Sequence, residues 1–103
     1  TLLAGLNLHS TIGSARAVRD LGLEDRVTII GFDNVTEAIQ LMTEGVIEGL
    51  VVQKPLNMGF LGVENAVMLA RGEQTERVIN SGTALIDIDN IYTIENQKLL
   101  FPF

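Results

Sequence analysis

An α/β fold built on a parallel sheet is predicted by three observations. Short apolar runs rich in Val and Ile alternate with stretches of helical periodicity. Glycines stand where the helical stretches stop. Hydrophobic residues make up 47% of the 103-residue chain, enough to bury a sheet. Strands alternating with amphipathic helices imply right-handed crossovers and helices covering the sheet, a three-layer αβα arrangement.

Leu2–Leu6, Val27–Phe32 and Gly49–Val52 are the first three strand candidates, each bounded by Gly or polar residues. Between the first two, Ser10 or Thr11 is placed to cap a helix whose inward face holds Ile12, Ala15, Val18 and Leu21, with Gly22 as its stop. Val35, Ala38, Ile39 and Met42 recur at i, i+3, i+4 and i+7, and Gly45 ends that second helix. The order is βαβαβ. Lys54-Pro55 then breaks the strand and starts a third helix, with Gly59, Gly62, Val63, Ala66, Val67 and Ala70 along one face and Gly72 at its end. A polar loop from Glu73 to Arg77 leads to a fourth strand candidate, Thr83–Ile88, and a tail of mixed pattern around Ile91 to Ile94. Met42, Met58 and Met68 sit at helical positions and read as core filling, and Phe60 reads as buried or at an interface.

Seven basic residues stand against 13 acidic ones, a net charge of −6, with no Lys/Arg run. That balance disfavours nucleic acid and anionic membranes as partners. The absence of Cys excludes disulfides, thiolate nucleophiles and Cys-ligated metals. The single His leaves only carboxylates for a metal, and Asp87 and Asp89 read as a solvated strand end, so no metal or cofactor is expected. No apolar run is long enough to span a membrane, and the first apolar stretch does not follow a basic n-region, so neither a membrane span nor a signal peptide is expected in this sequence. Both ends are apolar, Thr1–Leu6 and Leu99–Phe103, so the chain is expected to be a piece of a longer one.

In a parallel sheet, ligands bind past the carboxyl ends of the strands. The three strands end in Asn7, Asp33 and Gln53, one helix apart from each other, and all three are expected to line one crevice. A carboxylate and two amides match the mixed donors and acceptors of vicinal hydroxyls, so a sugar or polyol fits. A phosphate would call for Lys, Arg or a Gly-rich turn, and neither G-x-x-x-x-G-K-[ST] nor G-x-G-x-x-G occurs. Asn and Asp also cap helices and close turns, and for either residue alone that local role is sufficient explanation. Gln53 tips the balance, because Gln caps poorly and has little local reason to follow an apolar strand. His9, Ser10 and Asp33 contain the parts of a hydrolase triad, but no G-x-S-x-G elbow accompanies them, and no enzyme is expected.

Val27-Thr-Ile-Ile-Gly-Phe-Asp33, followed after a helix by Glu44-Gly-Val-Ile-Glu-Gly-Leu-Val-Val-Gln53, Pro55 and Met58-Gly59, resembles the carboxyl-terminal part of type I periplasmic binding proteins of the ribose- and galactose-binding kind. Lactose-repressor-type sensor domains share that fold. The resemblance runs from Asn7 to about Tyr92 and implies a two-lobed Venus-flytrap. It implies that residues 1–53 end the carboxyl-terminal lobe, 54–81 hold a hinge crossing and a helix of the amino-terminal lobe, and 82–103 form a return strand and tail. It further implies that Asn7, Asp33 and Gln53 hydrogen-bond a sugar-like ligand, delivered to an ABC permease or membrane sensor, and that the protein is periplasmic or extracellular and membrane-anchored. The rest of the same longer chain would complete the lobes. Leu8 departs from the acidic residue common after the strand-end Asn in that family. The alternative is the effector-binding domain of a lactose-repressor-type transcriptional regulator, which would be cytoplasmic.

Overall fold

In the computed structural model, which describes residues 1–101, the element order is β1 (Leu2–Ala4), α1 (Leu8–Asp20), β2 (Thr28–Phe32), α2 (Thr36–Thr43), β3 (Gly49–Gln53), α3 (Pro55–Ala70), β4 (Thr83–Asp87) and α4 (Ile94–Leu100). Pro102 and Phe103, the last residues of the expected tail, lie outside the described residues. The four strands form one sheet in the order β1-β2-β3-β4. β1 and β2 are parallel with Leu3 opposite Ile29, and β2 and β3 are parallel with Gly31 opposite Leu50. The βαβαβ order and parallel pairing expected from the sequence are present.

The chain divides into two compact units, one of residues 1–52 and 84–103, the other of residues 53–83. In the first unit the core is built from alternate sides of the strands and one stripe of each helix. Ile29, Leu50, Val52 and Ile86 from the sheet meet Ala15 and Val18 of α1 and Ala38, Leu41 and Met42 of α2. Val46 and Ile47, between α2 and β3, complete it with Ile91 and Leu100. Helices α1 and α2 touch, and a two-pronged Arg16–Glu37 pair joins them at 2.7 and 2.8 Å. Gly22 and Gly45, at φ +64° and +82°, follow the two helices where the sequence placed their stops.

Four local expectations need correction. The α1 cap is Asn7 rather than Ser10 or Thr11, because the strand ends at Ala4 and leaves room for an earlier helix start. Leu21, expected on the inward face, is exposed beyond the last turn. Asp87 does not simply face solvent: its Oδ1 accepts from the amides of Asp89 and Asn90, closing the turn after β4. The mixed tail contains a helix, α4, which the sequence pattern did not show. Side-chain hydrogen bonds fasten it. Asn90 donates to Leu85 O, Asn96 donates to Asn90 O, and Gln97 donates to Ile91 O.

The second unit carries α3, which starts at Pro55 in the first turn, where a missing N–H is harmless. Asn57 Nδ2 donates to Ser81 O at 2.6 Å, and Asn80 Oδ1 accepts from Gly82 N. No residue of α3 is buried, so Met58 and Phe60 do not fill a core in this structure, and Met68 is only half-buried. Met42 alone of the three methionines takes the expected core place. Among the described residues no helix is long and apolar enough to cross a membrane.

Candidate functional site

The first parallel ladder ends with Gly5 N–H donating to Ile30 O at 2.9 Å, after which β1 turns away. Asn7 sits in that turn with extended backbone and caps α1 reciprocally with Ser10. Its Oδ1 accepts from Ser10 N at 2.9 Å, while its own N–H donates to Ser10 Oγ at 3.2 Å. Two of the otherwise unpaired donors at the helix start are thereby satisfied. Asn7 therefore has the local role that its residue type allows, and it presents an exposed side chain at the carboxyl end of β1.

Asp33 follows β2 directly. Its φ of +70° is the only positive value at a non-glycine residue among those described. Asp tolerates the left-handed region better than most residues, and such backbones are held only where surroundings over-determine them. The surroundings here are identifiable: Asp33 N–H donates to Val51 O at 2.9 Å, extending the β2–β3 pairing by one rung. Asn34, next in the chain, donates from Nδ2 to Leu100 O, tying the same turn to the end of α4. The Asp33 side chain is half-buried.

Gln53 is the last residue of β3, two beyond Val51, and is also half-buried. It opens the second unit by chain division. All three sequence-selected residues thus stand at strand carboxyl ends. The hydrogen bonds that tie the first two turns together run through a residue that was not selected, Thr11. Thr11 is the only buried polar residue among those described, and its Oγ1 donates to Asn7 O at 2.7 Å and accepts from Phe32 N at 3.0 Å. A signal for it was present in sequence: Gly5 and Gly31, two glycines within or beside strand runs, mark close backbone approach.

Ser10, one of the three parts named for a hydrolase, serves the helix start. Ser10 Oγ is committed to the α1 cap, donating to Asn7 O at 3.2 Å and accepting from Asn7 N. His9 is exposed in the first turn of α1. Among the described residues no group of three or more metal-ligating side chains converges.

A family model described as "Periplasmic binding protein domain" matches residues 3–74. The ribose import binding protein of Haemophilus influenzae is 30% identical over 73 residues, 71% of this chain and 24% of that protein. A carbohydrate transporter solute binding protein from Agrobacterium radiobacter, solved with D-arabinose, superposes with a TM-score of 0.81 at 30% identity, covering 96% of this chain and 33% of its own. An ABC transporter solute binding protein from Agrobacterium vitis, solved with D-fucose, gives 0.84 at 29% identity, covering 98% and 35%. The chain therefore spans about a quarter to a third of the length of the proteins it matches.

Proposed function

Because the chain belongs to the periplasmic binding protein domain family, we propose that it forms part of an extracytoplasmic solute receptor for a sugar or sugar-like molecule. Asn7, Asp33 and Gln53 hydrogen-bond the ligand's hydroxyls. Residues 1–53 end the carboxyl-terminal lobe, 54–81 hold a hinge crossing and a helix of the amino-terminal lobe, and 82–103 form a return strand and tail, a division supported by the two compact units of residues 1–52 with 84–103 and residues 53–83. The observation that carries this reading is Asp33, a carboxylate held at φ +70° at the carboxyl end of β2, beside the capped start of α1.

The chemistry follows from what these groups can accept and donate. A carboxylate accepts from two hydroxyls, and each carboxamide both donates and accepts, so adjacent sugar hydroxyls are met in alternation. Closing lobes over a sugar strips its hydroxyls of water. Each one left unpaired costs about 1–3 kcal/mol, so placement of these side chains governs both affinity and choice of ligand. The receptor binds and releases without turnover and hands its ligand to an ABC permease. Relatives that are themselves transport receptors favour this over the transcriptional regulator.

Calorimetric titration of the full-length protein with D-ribose, D-arabinose and D-fucose tests the proposal. Asp33→Asn keeps a residue that accepts the left-handed backbone while removing the charge and one acceptor. The expected result is binding at least about tenfold weaker, equivalent to about 1.4 kcal/mol. An unchanged Kd for both Asp33→Asn and Asp33→Ala overturns the site, and failure of the whole panel to bind overturns the sugar reading.

A further inference from the structure

We infer that Thr11 is a positioning residue whose buried hydroxyl sets the placement of Asn7 and Asp33 together. This rests on the sugar-site reading of those two residues. Thr11 is fully buried, so it acts through its neighbours and not by touching a ligand.

The β1–β2 ladder explains why a hydroxyl is needed there. Its last rung is Gly5 N–H to Ile30 O, and β1 then turns toward α1. Phe32 N–H, two residues further along β2, has lost the strand that would have accepted from it. Thr11 Oγ1 takes the place of the missing strand carbonyl at 3.0 Å, and its proton goes to Asn7 O at 2.7 Å. One hydroxyl therefore ties the cap carbonyl of Asn7 to the amide of Phe32, the residue before the left-handed Asp33. On its other side Asp33 is held by Val51 O, so the turn is clamped from both flanking elements.

Two glycines are part of the same device. A Cβ on Gly5 would stand 2.5 Å from Thr11 Oγ1 and 2.7 Å from its Cα. A Cβ on Gly31 would collide with Thr11 Cγ2 and stand 2.9 Å from Oγ1. Only bare backbone at both positions lets the first turn of α1 settle close enough for the hydroxyl to reach Phe32. A Val at position 11 fills the same volume without the hydrogen bonds, while a Ser keeps the hydroxyl and loses the methyl.

The experiment compares Thr11→Val and Thr11→Ser in the full-length protein. Amide hydrogen exchange is read at Phe32, Asp33 and Leu50, and Kd is read with D-ribose, D-arabinose and D-fucose in turn. Thr11→Val is expected to speed exchange at Phe32 and Asp33 at least tenfold, to leave Leu50 unchanged, and to weaken sugar binding at least tenfold. Thr11→Ser is expected to restore both to within about threefold of the parent, although it also leaves a methyl-sized void. A role confined to stability would lower the unfolding midpoint in both variants without moving folded-state exchange or Kd, and that outcome overturns the inference. So does failure of Ser to rescue. Should Thr11→Val not fold, Thr11→Ala replaces it with the same expectations. If Asp33→Asn weakens binding and the Thr11 variants do not, the inference alone fails. If Asp33→Asn and Asp33→Ala bind as the parent does, the site reading fails, and exchange at Phe32 and Asp33 still reports whether Thr11 places the turn.

Discussion

Helices α1 and α3 run in opposite directions on the scale of apolarity and burial. α1 is the less apolar sequence, yet it buries Thr11, Ala15 and Val18 along one stripe. α3 is the more apolar, yet none of its 16 residues is buried, and Leu56 and Phe60 are 75% and 66% exposed. Burial follows pattern and neighbours rather than apolar content. α1 alternates apolar and polar positions so that a single stripe meets the sheet, with Arg16 and Arg19 on its exposed side. α3 is apolar on several sides, the composition of a helix that is covered from more than one direction.

The largest expected effect contrasts one side chain from each unit. Leu50→Ala should destabilise the protein by about 2–5 kcal/mol, since it opens a cavity among fully buried neighbours. Phe60→Ala should change the stability of the 103-residue chain by less than about 0.5 kcal/mol, because its side chain is already largely in water. Urea unfolding of the two variants decides the matter, and equal losses would erase the distinction between the units. A smaller pair of effects has opposite signs. Gly31→Ala forces a Cβ against Thr11 and Leu50 and should cost about 1–3 kcal/mol. Gly59→Ala, with nothing within 4 Å of its added Cβ, should stabilise by about 0.5–1 kcal/mol through helix propensity alone.

The smallest effect belongs to the exposed Arg16–Glu37 pair. The Arg16 guanidinium, chiefly through its hydrogen bonds, holds the Glu37 carboxyl below its ordinary value. A carboxyl whose pKa is lower in the folded state adds stability that is complete above the ordinary carboxylate range and is lost as pH falls through the lowered value. Glu37→Gln should therefore reduce stability slightly at neutral pH and leave the acid end of the profile unchanged, an effect that added salt diminishes. Urea midpoints measured from about pH 7 down to about pH 3 read this difference, and a larger loss at acid pH than at neutral would contradict it.

Strands β2 and β3 and helices α1 and α2 were legible because burial on one or both faces writes a period into the sequence, whereas β1 and α3, with no buried residue, were legible from their apolar runs and their Gly and Pro boundaries. Val27 to Phe32 and the spacing of Val35, Ala38, Ile39 and Met42 are direct records of that constraint. α4 was not legible for the same reason. It buries little besides Leu100 and is held by the amides of Asn90, Asn96 and Gln97, which leave no periodic trace. At the candidate site, the positions of Asn7, Asp33 and Gln53 followed from where strands end. The cap was misplaced by three or four residues because β1 is only three residues long, and apolar Leu6 extended the apparent strand. Thr11 was read as a possible cap, since Gly5 and Gly31 mark a close backbone approach without saying which side chain fills it.

The left-handed backbone at Asp33 also limits how the site can be altered by substitution. Gly, Asn and Asp enter that region readily, whereas a β-branched or longer side chain adds strain of about 1–3 kcal/mol before any ligand arrives. Of those three, one is a charged acceptor, one a neutral amide and one has no side chain at all. Position 33 thus has a three-letter alphabet, and Asn7 is restricted in its own way to residues that cap a helix.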